Sequence, residues 1–207
     1  MAVGPDDEVA ALRAGDEATF RRVVGREQAT LVRVARVYVR DEAAALDVVQ
    51  ETWLAAIRGL DGFEGRSSLR AWLTGIAVNQ ARRRVARDAR LAPVGGPGPA
   101  EEDLGGWPER RFRGPTDQWP GHWASPPSDW STLPEHRFAN TEAVAAVRAA
   151  IETLPVRQRS VVLLRDVLGW TASEVCSALD LTDGNERVLL HRGRSTVRRR
   201  LAEVLAP

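Results

Sequence analysis

Apolar residues recur every three or four positions through the first ninety residues, which is the spacing of helices that bury one face. Two stripes stand out, formed by Leu46, Val49, Trp53, Leu54 and Ile57 and by Leu69, Trp72, Leu73 and Ile76. Aspartate and serine are favoured at helix N-caps. We therefore expect Asp16 to cap a helix that ends near Arg40. Asp41 is expected to cap the next helix, which ends near Leu60. Ser67 is expected to cap a third helix.

The third predicted helix changes character along its length. Its apolar stripe stops after Ile76, and the polar or cationic residues that follow are Asn79, Gln80, Arg82, Arg83, Arg84, Arg87 and Arg90. Arginines at a helix C-terminus can simply complement the helix dipole, but this many exceed what a helix end needs. The pattern predicts a helix that begins in a core and ends as a cationic surface all round.

A second helical unit is predicted between residues 141 and 207. An amphipathic stretch covers residues 142–154, and Pro155 suits the first turn of the next helix, which Gly169 ends. Thr171 and Glu174 then have the spacing of a capping box, which predicts a short helix through Ala178.

The end of the chain has the pattern of a helix-turn-helix. After the short helix comes a tight turn at residues 180 and 181, and Thr182 can cap a long last helix that runs to about Leu205. A short helix, a tight turn and a basic second helix are typical of this motif, although many ordinary helical hairpins share the geometry.

Residues 93–140 form a predicted linker between the two units. Nine of the twelve prolines and seven of the seventeen glycines lie here, so no helix or inner strand can persist through it. The segment also contains four tryptophans, Trp107, Trp119, Trp123 and Trp130. Because disordered segments are usually poor in aromatic residues, we expect these side chains either to pack against a flanking unit or to contact a partner or a nucleic acid.

Composition excludes several classes of protein. The chain has 207 residues, three histidines and a single cysteine, Cys176, so neither a disulfide framework nor a metal or other cofactor site is expected. No basic flank precedes an apolar segment, and the longest aliphatic run is residues 161–164, so we expect a cytoplasmic protein without membrane insertion. No catalytic constellation stands out, and Cys176 suits a helix core better than a nucleophile, so an enzyme is not expected.

The formal net charge of +1 hides two basic blocks. Residues 61–92 contain seven arginines against three acidic residues, and residues 183–200 contain six against two. The first sixty residues are acidic, with eight arginines against ten acidic residues. This distribution predicts two separate contacts with a polyanion and a different partner for the acidic part.

The last predicted helix has candidates for DNA contacts if it lies in a major groove. The candidates for base edges are Asn185, Arg187, His191 and Arg192, and the candidates for phosphates are Arg194, Arg198, Arg199 and Arg200. Val188, Leu189 and Leu190 are expected to face inward. Glu186 suits the helix dipole but opposes DNA in its neighbourhood.

Both helical units also carry a resemblance to a known family. The segment DEAAALDVVQETWLAAIRGLDGFEGRSSLRAWLTGIAVNQARRRVAR resembles region 2 of bacterial sigma factors of the extracytoplasmic-function (ECF) group, within the sigma-70 family. The segment LPVRQRSVVLLRDVLGWTASEVCSALDLTDGNERVLLHRGRSTVRRRL resembles region 4 of that group. The resemblance implies an all-α protein with two small helical domains, residues 1–92 and 141–207, joined by the linker.

The resemblance implies roles for particular residues. The D-x-x-Q-E-T-W stretch matches the surface that docks on the clamp helices of the largest subunit of core RNA polymerase, here Asp47, Gln50, Glu51 and Trp53. The F-E-G-R-S-S loop and the later A-V-N-Q match the pocket for an unstacked base of the minus-ten element, here Phe63, Arg66, Ser67, Ser68 and Asn79. The residues that would hold the phosphates of the separated strand are Arg82, Arg83, Arg84 and Arg87. For Trp53, plain core packing remains an equal alternative.

The implied function is a promoter-specificity subunit whose last helix reads the minus-thirty-five element. Its implied partners are core RNA polymerase, promoter DNA and an anti-sigma factor. Three departures from the family pattern, Arg83, Glu186 and Leu189, bear on the promoter sequence rather than on the activity. The alternative is a one-component helix-turn-helix regulator, which would bind an operator tightly without polymerase.

Overall fold

The computed structural model describes residues 5–91 and 141–205, and every regular element in these ranges is helical. The N-terminal unit contains α1 (Pro5–Arg13), α2 (Glu17–Tyr38), α3 (Glu42–Gly59) and α4 (Leu69–Leu91). The C-terminal unit contains α5 (Thr141–Glu152), α6 (Val156–Val162), α7 (Ala172–Leu179) and α8 (Asp183–Leu205). The predicted all-α class with two helical units is confirmed. The predicted linker and its tryptophans lie outside the described residues.

Two of the three N-caps predicted in the first unit are confirmed. The Asp16 carboxylate accepts a hydrogen bond of 2.9 Å from the Thr19 amide, and the Asp41 carboxylate accepts one of 2.7 Å from the Ala44 amide. The third prediction, Ser67, was wrong by one residue. Ser68 caps α4, because its hydroxyl accepts from the Ala71 amide at 3.3 Å.

The buried face of α3 is rotated from the predicted stripe. Small and β-branched residues fill it, namely Ala44, Ala45, Val48, Val49, Thr52 and Ala56. Three larger members of the stripe remain in solvent: Leu46, Leu54 and Ile57 are 47%, 51% and 56% exposed. The small side chains let α3 lie close to α2 and α4, and the larger residues lie on the far side of the helix.

The apolar face of α4 continues beyond Ile76, contrary to the prediction. Ala77, Val78 and Ala81 are at most 1% exposed, so the core extends for more than one further turn. The cationic surface therefore occupies only part of the circumference until that point. Alanine contributes little to a hydrophobic pattern, and for this reason the pattern predicts the end of the apolar stripe too early.

The helix boundaries of the second unit agree with the prediction, with two differences. Pro155 is the N-cap of α6 and not part of its first turn. After Val162 the chain widens into a π-helical turn, Leu163–Val167, where an unbroken α-helix was predicted. Gly169 ends this stretch with a φ of +68°, as expected of a helix-terminating glycine.

The helix-turn-helix is confirmed in its local details. Both bonds of the capping box join Thr171 and Glu174 at the start of α7. Asp180 takes a left-handed conformation with a φ of 54°, and the Thr182 hydroxyl accepts from the Asn185 amide at 3.3 Å. Of the residues expected to face inward, Leu189 and Leu190 are buried, whereas Val188 is only partly buried.

Helices α5 to α8 enclose a core that the first unit helps to close. Val34, Ala71 and Val78 of the first unit belong to the same buried cluster as Val161, Val175, Leu179 and Leu190 of the second. Helices α4 and α7 adjoin along this cluster. The two units therefore lie directly against each other, and this contact brings the loop before α4 next to the helix-turn-helix.

Candidate nucleic-acid interface

The loop between α3 and α4 borders an open cavity of about 840 Å³. Four of the five residues predicted for a base pocket line this cavity: Phe63, Arg66, Ser67 and Ser68. Asn79, the fifth, lies ten residues along α4 from Leu69, which is about 15 Å along a helix axis. The structure thus brings the loop residues together and places Asn79 elsewhere.

Aromatic packing and an arginine contact hold this loop in place. Phe63 is 7% exposed, and its ring centroid lies 5.0 Å from that of Trp72. Arg13, at the end of α1, donates to the carbonyl oxygens of Leu60 and Phe63. The sequence pattern did not predict α1, so this support for the loop was missed.

An ion-pair network forms another wall of the cavity. The Arg26 guanidinium donates to both carboxylate oxygens of Glu8 at 2.9 Å and to Glu27 at 2.6 Å. The hydrogen bonds from Arg26 lower the pKa of Glu8, against the opposing effect of partial burial. Glu27 is buried. The network neutralises Arg26. The Arg66 side chain is largely exposed at the cavity mouth, where its guanidinium lies 3.0 Å from the Glu64 carboxylate.

The cationic end of α4 presents four exposed arginines, Arg82, Arg83, Arg87 and Arg90. Asn79 is also exposed and precedes Arg82 and Arg83 by three and four residues, so it shares a face with them. Arg84 differs, because its guanidinium contacts the Asp47 carboxylate at 2.9 Å and is 3.8 Å from Asp88. Arg84 and Asp47 were assigned to different partners, and the structure joins them to each other.

The outer face of α3 combines polar and apolar groups. Asp47 and Gln50 are exposed, and Glu51 and Trp53 are partly buried. The Trp53 indole donates to Gln28 at 2.8 Å and packs edge-on against Phe20, so its position serves packing at least as much as docking. The exposed residues Leu46, Leu54 and Ile57 share this face and were not predicted as contacts.

Helix α8 presents its candidate residues to different degrees. Asn185 and Arg187 are exposed, and His191, Arg192 and Arg198 are partly buried. Arg199 and Arg200 are exposed as well, and Arg200 lies 3.4 Å from Glu203. The N-terminal half of α8 thus offers an amide and a guanidinium to solvent, one turn beyond the motif's tight turn.

Two carboxylates of the second unit form ion pairs with arginine side chains. The Arg194 guanidinium binds both oxygens of Asp166 at 3.0 and 2.6 Å, and these hydrogen bonds raise its pKa. Glu186 is 1% exposed, and its carboxylate lies 2.9 Å from Arg165. Burial raises the pKa of Glu186, and Arg165 opposes this shift. Glu186 therefore faces the core, and the expectation that it would repel DNA was wrong.

Cys176 has the chemistry of a structural thiol. It is partly buried and donates a hydrogen bond of 3.5 Å to Asp183. Burial, followed by the nearby Asp183 carboxylate, raises the pKa of Cys176 to about 11, so the thiol stays protonated at neutral pH. In the two described ranges, no cluster of three His, Cys, Asp or Glu side chains is arranged to bind a metal. None of the helices described is both long and apolar enough to cross a membrane.

Two family models match the chain in order. Sigma-70 region 2 matches residues 23–91, which include α3, the loop and α4. Sigma-70 region 4 matches residues 145–197, which include the helix-turn-helix. The matches fall on the same two units that carry the basic blocks.

Similar proteins have been named in several bacteria. The ECF RNA polymerase sigma factor SigG of Mycobacterium tuberculosis is 39% identical over 167 residues, which are 78% of this chain and 44% of the relative. The chain thus spans less than half the length of this relative. The ECF RNA polymerase sigma-E factor of Salmonella typhimurium is 26% identical over 186 residues, which are 90% of this chain and 88% of the relative.

Two solved structures share the fold. CnrH, determined in complex with the cytosolic domain of CnrY, has a TM-score of 0.59 at 22% identity and covers 95% of this chain and 96% of its own. RpoE of Bartonella quintana, determined in complex with the anti-sigma factor NepR, has a TM-score of 0.56 at 19% identity. That match covers 88% of this chain and 96% of RpoE.

Proposed function

This chain belongs to the ECF group of the sigma-70 family, and we propose that it binds core RNA polymerase and directs promoter-specific transcription initiation. The observation that carries the proposal is the pair of separate cationic surfaces, one on each unit, in the order of regions 2 and 4. The chain itself would catalyse no reaction, and it would act in the cytoplasm.

The first unit is proposed to hold the melted minus-ten element. A base that leaves the stack needs a shaped cavity with polar edges, and the cavity beside the loop has Arg66, Ser67 and Ser68 on its rim and Phe63 beneath. The exposed Arg82, Arg83 and Arg87 suit the phosphates of the separated strand, with Asn79 on the same face.

The second unit is proposed to read the minus-thirty-five element as duplex. Helix α8 is the second helix of the motif, the one that enters the major groove in proteins of this kind. Asn185 and Arg187 lie in its exposed N-terminal part and have the donors that adenine and guanine edges accept. His191 and Arg192 follow along the helix and are proposed to contact base edges. Arg194 and Arg198 are proposed to contact phosphates.

The outer face of α3 is proposed to dock on the clamp helices of the largest polymerase subunit. Exposed apolar side chains beside polar ones are typical of protein interaction surfaces. Leu54 and Ile57 supply the apolar part, and Asp47 and Gln50 the polar part. An anti-sigma partner is also proposed, because RpoE was solved with the anti-sigma factor NepR.

The docking proposal is tested by co-elution of the full chain with core RNA polymerase. We expect the wild type to co-elute and Ile57→Asp to bind at least about tenfold more weakly, since it places a charge in an apolar contact. Arg21→Asp, at an exposed position of α2, is the matched control and should behave as wild type. Equal binding by all three chains would contradict the proposed face, and no binding by the wild type would contradict the function.

A further inference from the structure

We propose that Glu186 and Arg165 form a positioning pair that fixes the rotation of α8 about its own axis, and that this rotation determines the base preference of Asn185 and Arg187. This inference rests on the proposed function, because α8 is the helix proposed to read the minus-thirty-five, or upstream, element. It assigns a role in sequence preference to two side chains that do not themselves touch DNA.

Glu186 occupies a core position of α8. Residues three, four and seven positions apart share a face of a helix. The buried face of α8 consists of Glu186, Leu189, Leu190, Gly193, Val197 and Leu201. A charged residue thus fills the first position of a face whose other members are apolar. Because a glutamate is almost never fully buried unless it is paired, this position requires a specific partner.

Arg165 is that partner, and it connects three segments of the second unit. It lies in the π-helical turn Leu163–Val167, a kind of turn that is frequent at functional sites. Its Nε atom lies 2.9 Å from Oε1 of Glu186, and its Nη1 atom donates to the Trp170 carbonyl at 2.6 Å. Trp170 directly precedes the capping box of α7. Arg165 therefore joins the end of α6, the start of α7 and the start of α8.

The other contacts of α8 fix its distance from α6 better than they fix its rotation. A Cβ atom at Gly193 would lie 2.6 Å from Cγ2 of Val162, so the two helices meet closely there without a side chain that opposes rotation. Apolar contacts around that point have no preferred direction. The pair of Arg194 with Asp166 is partly exposed, with side chains 36% and 27% exposed, and pairs of this kind contribute little. The buried pair is therefore the strongest directional contact of α8.

Rotation matters because Asn185 and Arg187 flank Glu186 in the chain. Successive residues are about 100° apart around a helix, so these two exposed side chains leave α8 on opposite sides of the buried carboxylate. A rotation of about 20° moves a group that lies about 6 Å from the helix axis by about 2 Å. Hydrogen bonds tolerate donor–acceptor distances of only about 2.7–3.2 Å. A small rotation in either direction would therefore break the base contacts of at least one of the two residues.

An apolar exchange of the pair tests the inference. Arg165→Met and Glu186→Leu are combined, because replacing both partners of a buried ion pair usually preserves stability, whereas removing one partner does not. The full chain is assembled with core polymerase, and binding is measured on single-base variants of the upstream element. The readout is the discrimination ratio, which is the affinity for the preferred base divided by the affinity for each other base. We expect this ratio to fall at least about fivefold at the base pairs that Asn185→Ala and Arg187→Ala affect, with the salt slope unchanged.

A control and a milder variant accompany the exchange. Glu17→Leu with Arg21→Met makes the same exchange at an exposed pair of α2, and it should keep the wild-type ratio. Glu186→Gln keeps the size of the side chain, and Arg165, whose side chain is 28% exposed, can still reach water. A neutral amide accepts a weaker hydrogen bond than a carboxylate does, so we expect the ratio to fall at least about twofold. Glu186→Gln decides the question if the apolar exchange does not fold.

Two outcomes would overturn the inference and leave the proposed function intact. The first is a wild-type discrimination ratio in the folded apolar exchange, or in Glu186→Gln where the exchange does not fold. The second is a loss of affinity that is equal on every sequence, because it would show that the pair stabilises the second unit without orienting α8. No initiation by the wild type would instead contradict the proposed function itself.

Discussion

The cationic end of α4 and the long helix α8 are both rich in arginine, but they hold these side chains differently. At this end of α4, Arg82, Arg83 and Arg87 are exposed, although Arg82 also lies 5.8 Å from the centre of the Tyr38 ring, and Arg84 contacts the Asp47 carboxylate at 2.9 Å. In the second unit, Asp166 binds Arg194 in a bidentate pair, and the buried Glu186 faces Arg165. The count of arginines in a basic block therefore overstates the charge available to a nucleic acid, because carboxylates of the fold neutralise some of them.

The largest expected effect comes from the buried pair of the second unit. Arg165→Ala leaves the Glu186 carboxylate without its cation in the core, and we expect it to lower the free energy of unfolding by about 3 kcal/mol. Arg165 also donates to the Trp170 carbonyl at 2.6 Å, so the turn before α7 loses a contact as well. Urea unfolding of the full chain measures the change. Arg200→Ala, which breaks an exposed pair with Glu203, should cost less than about 0.5 kcal/mol, and a similar loss in both variants would refute the distinction.

The next effect separates base contacts from structural arginines on α8. Arg187→Ala should weaken holoenzyme binding to the upstream element by about 1–3 kcal/mol and relax the preference at one base pair. Arg194→Ala should leave sequence preference unchanged, because its guanidinium is engaged by Asp166. Binding measured across single-base variants of the element distinguishes the two. Equal losses on every sequence for Arg187→Ala would reassign that residue to a phosphate.

A smaller effect is expected for single phosphate contacts on α4. Arg87→Ala should weaken promoter binding uniformly and reduce the slope of log affinity against log salt by about one. Arg84→Ala removes a cation already neutralised by Asp47, so its salt slope should change less. The affinity for the melted strand, measured over a range of salt concentrations, gives the slope for each variant. If Arg84→Ala produced the larger change in slope, exposure would not identify the phosphate contacts.

The smallest effect concerns how the contribution of Glu8, in the cavity wall, to the free energy of unfolding depends on pH. Arg26 lowers the pKa of Glu8 below its ordinary value of 4.5 in the folded chain, so the stabilisation by this carboxylate is complete above that value. It is lost as the pH falls through the lowered pKa. The difference in unfolding free energy between the wild type and Glu8→Gln should therefore shrink as the pH falls below about 4.5. A constant difference between pH 3 and pH 7 would show that the Glu8 charge does not contribute.

Local signals in the sequence predicted the helices and their ends. Caps such as Asp16, Asp41 and Thr182 act within one helical turn, so the residues that decide them are adjacent in the chain. The candidate loop was predicted from the family resemblance instead, and its residues from Phe63 to Ser68, which are nearly consecutive, meet at one cavity.

Contacts between distant segments could not be predicted in this way. The pairing of Arg84 with Asp47, and of Arg70 with Glu174, depends on how whole helices pack. Burial of Glu186 was missed because a charged residue in a first turn is ordinarily assigned to solvent. The exposed face of α3 was missed because Leu54 and Ile57 resemble core residues until a partner is considered.

Initiation on a random promoter library tests the central claim most directly. The full chain is mixed with core RNA polymerase, and the transcripts are sequenced to recover the promoters that were used. We expect start sites that depend on the chain and two recurrent sequence elements about 25 base pairs apart, one for each cationic surface. Transcripts that are the same with and without the chain, or tight binding of one element by the chain alone, would contradict the account.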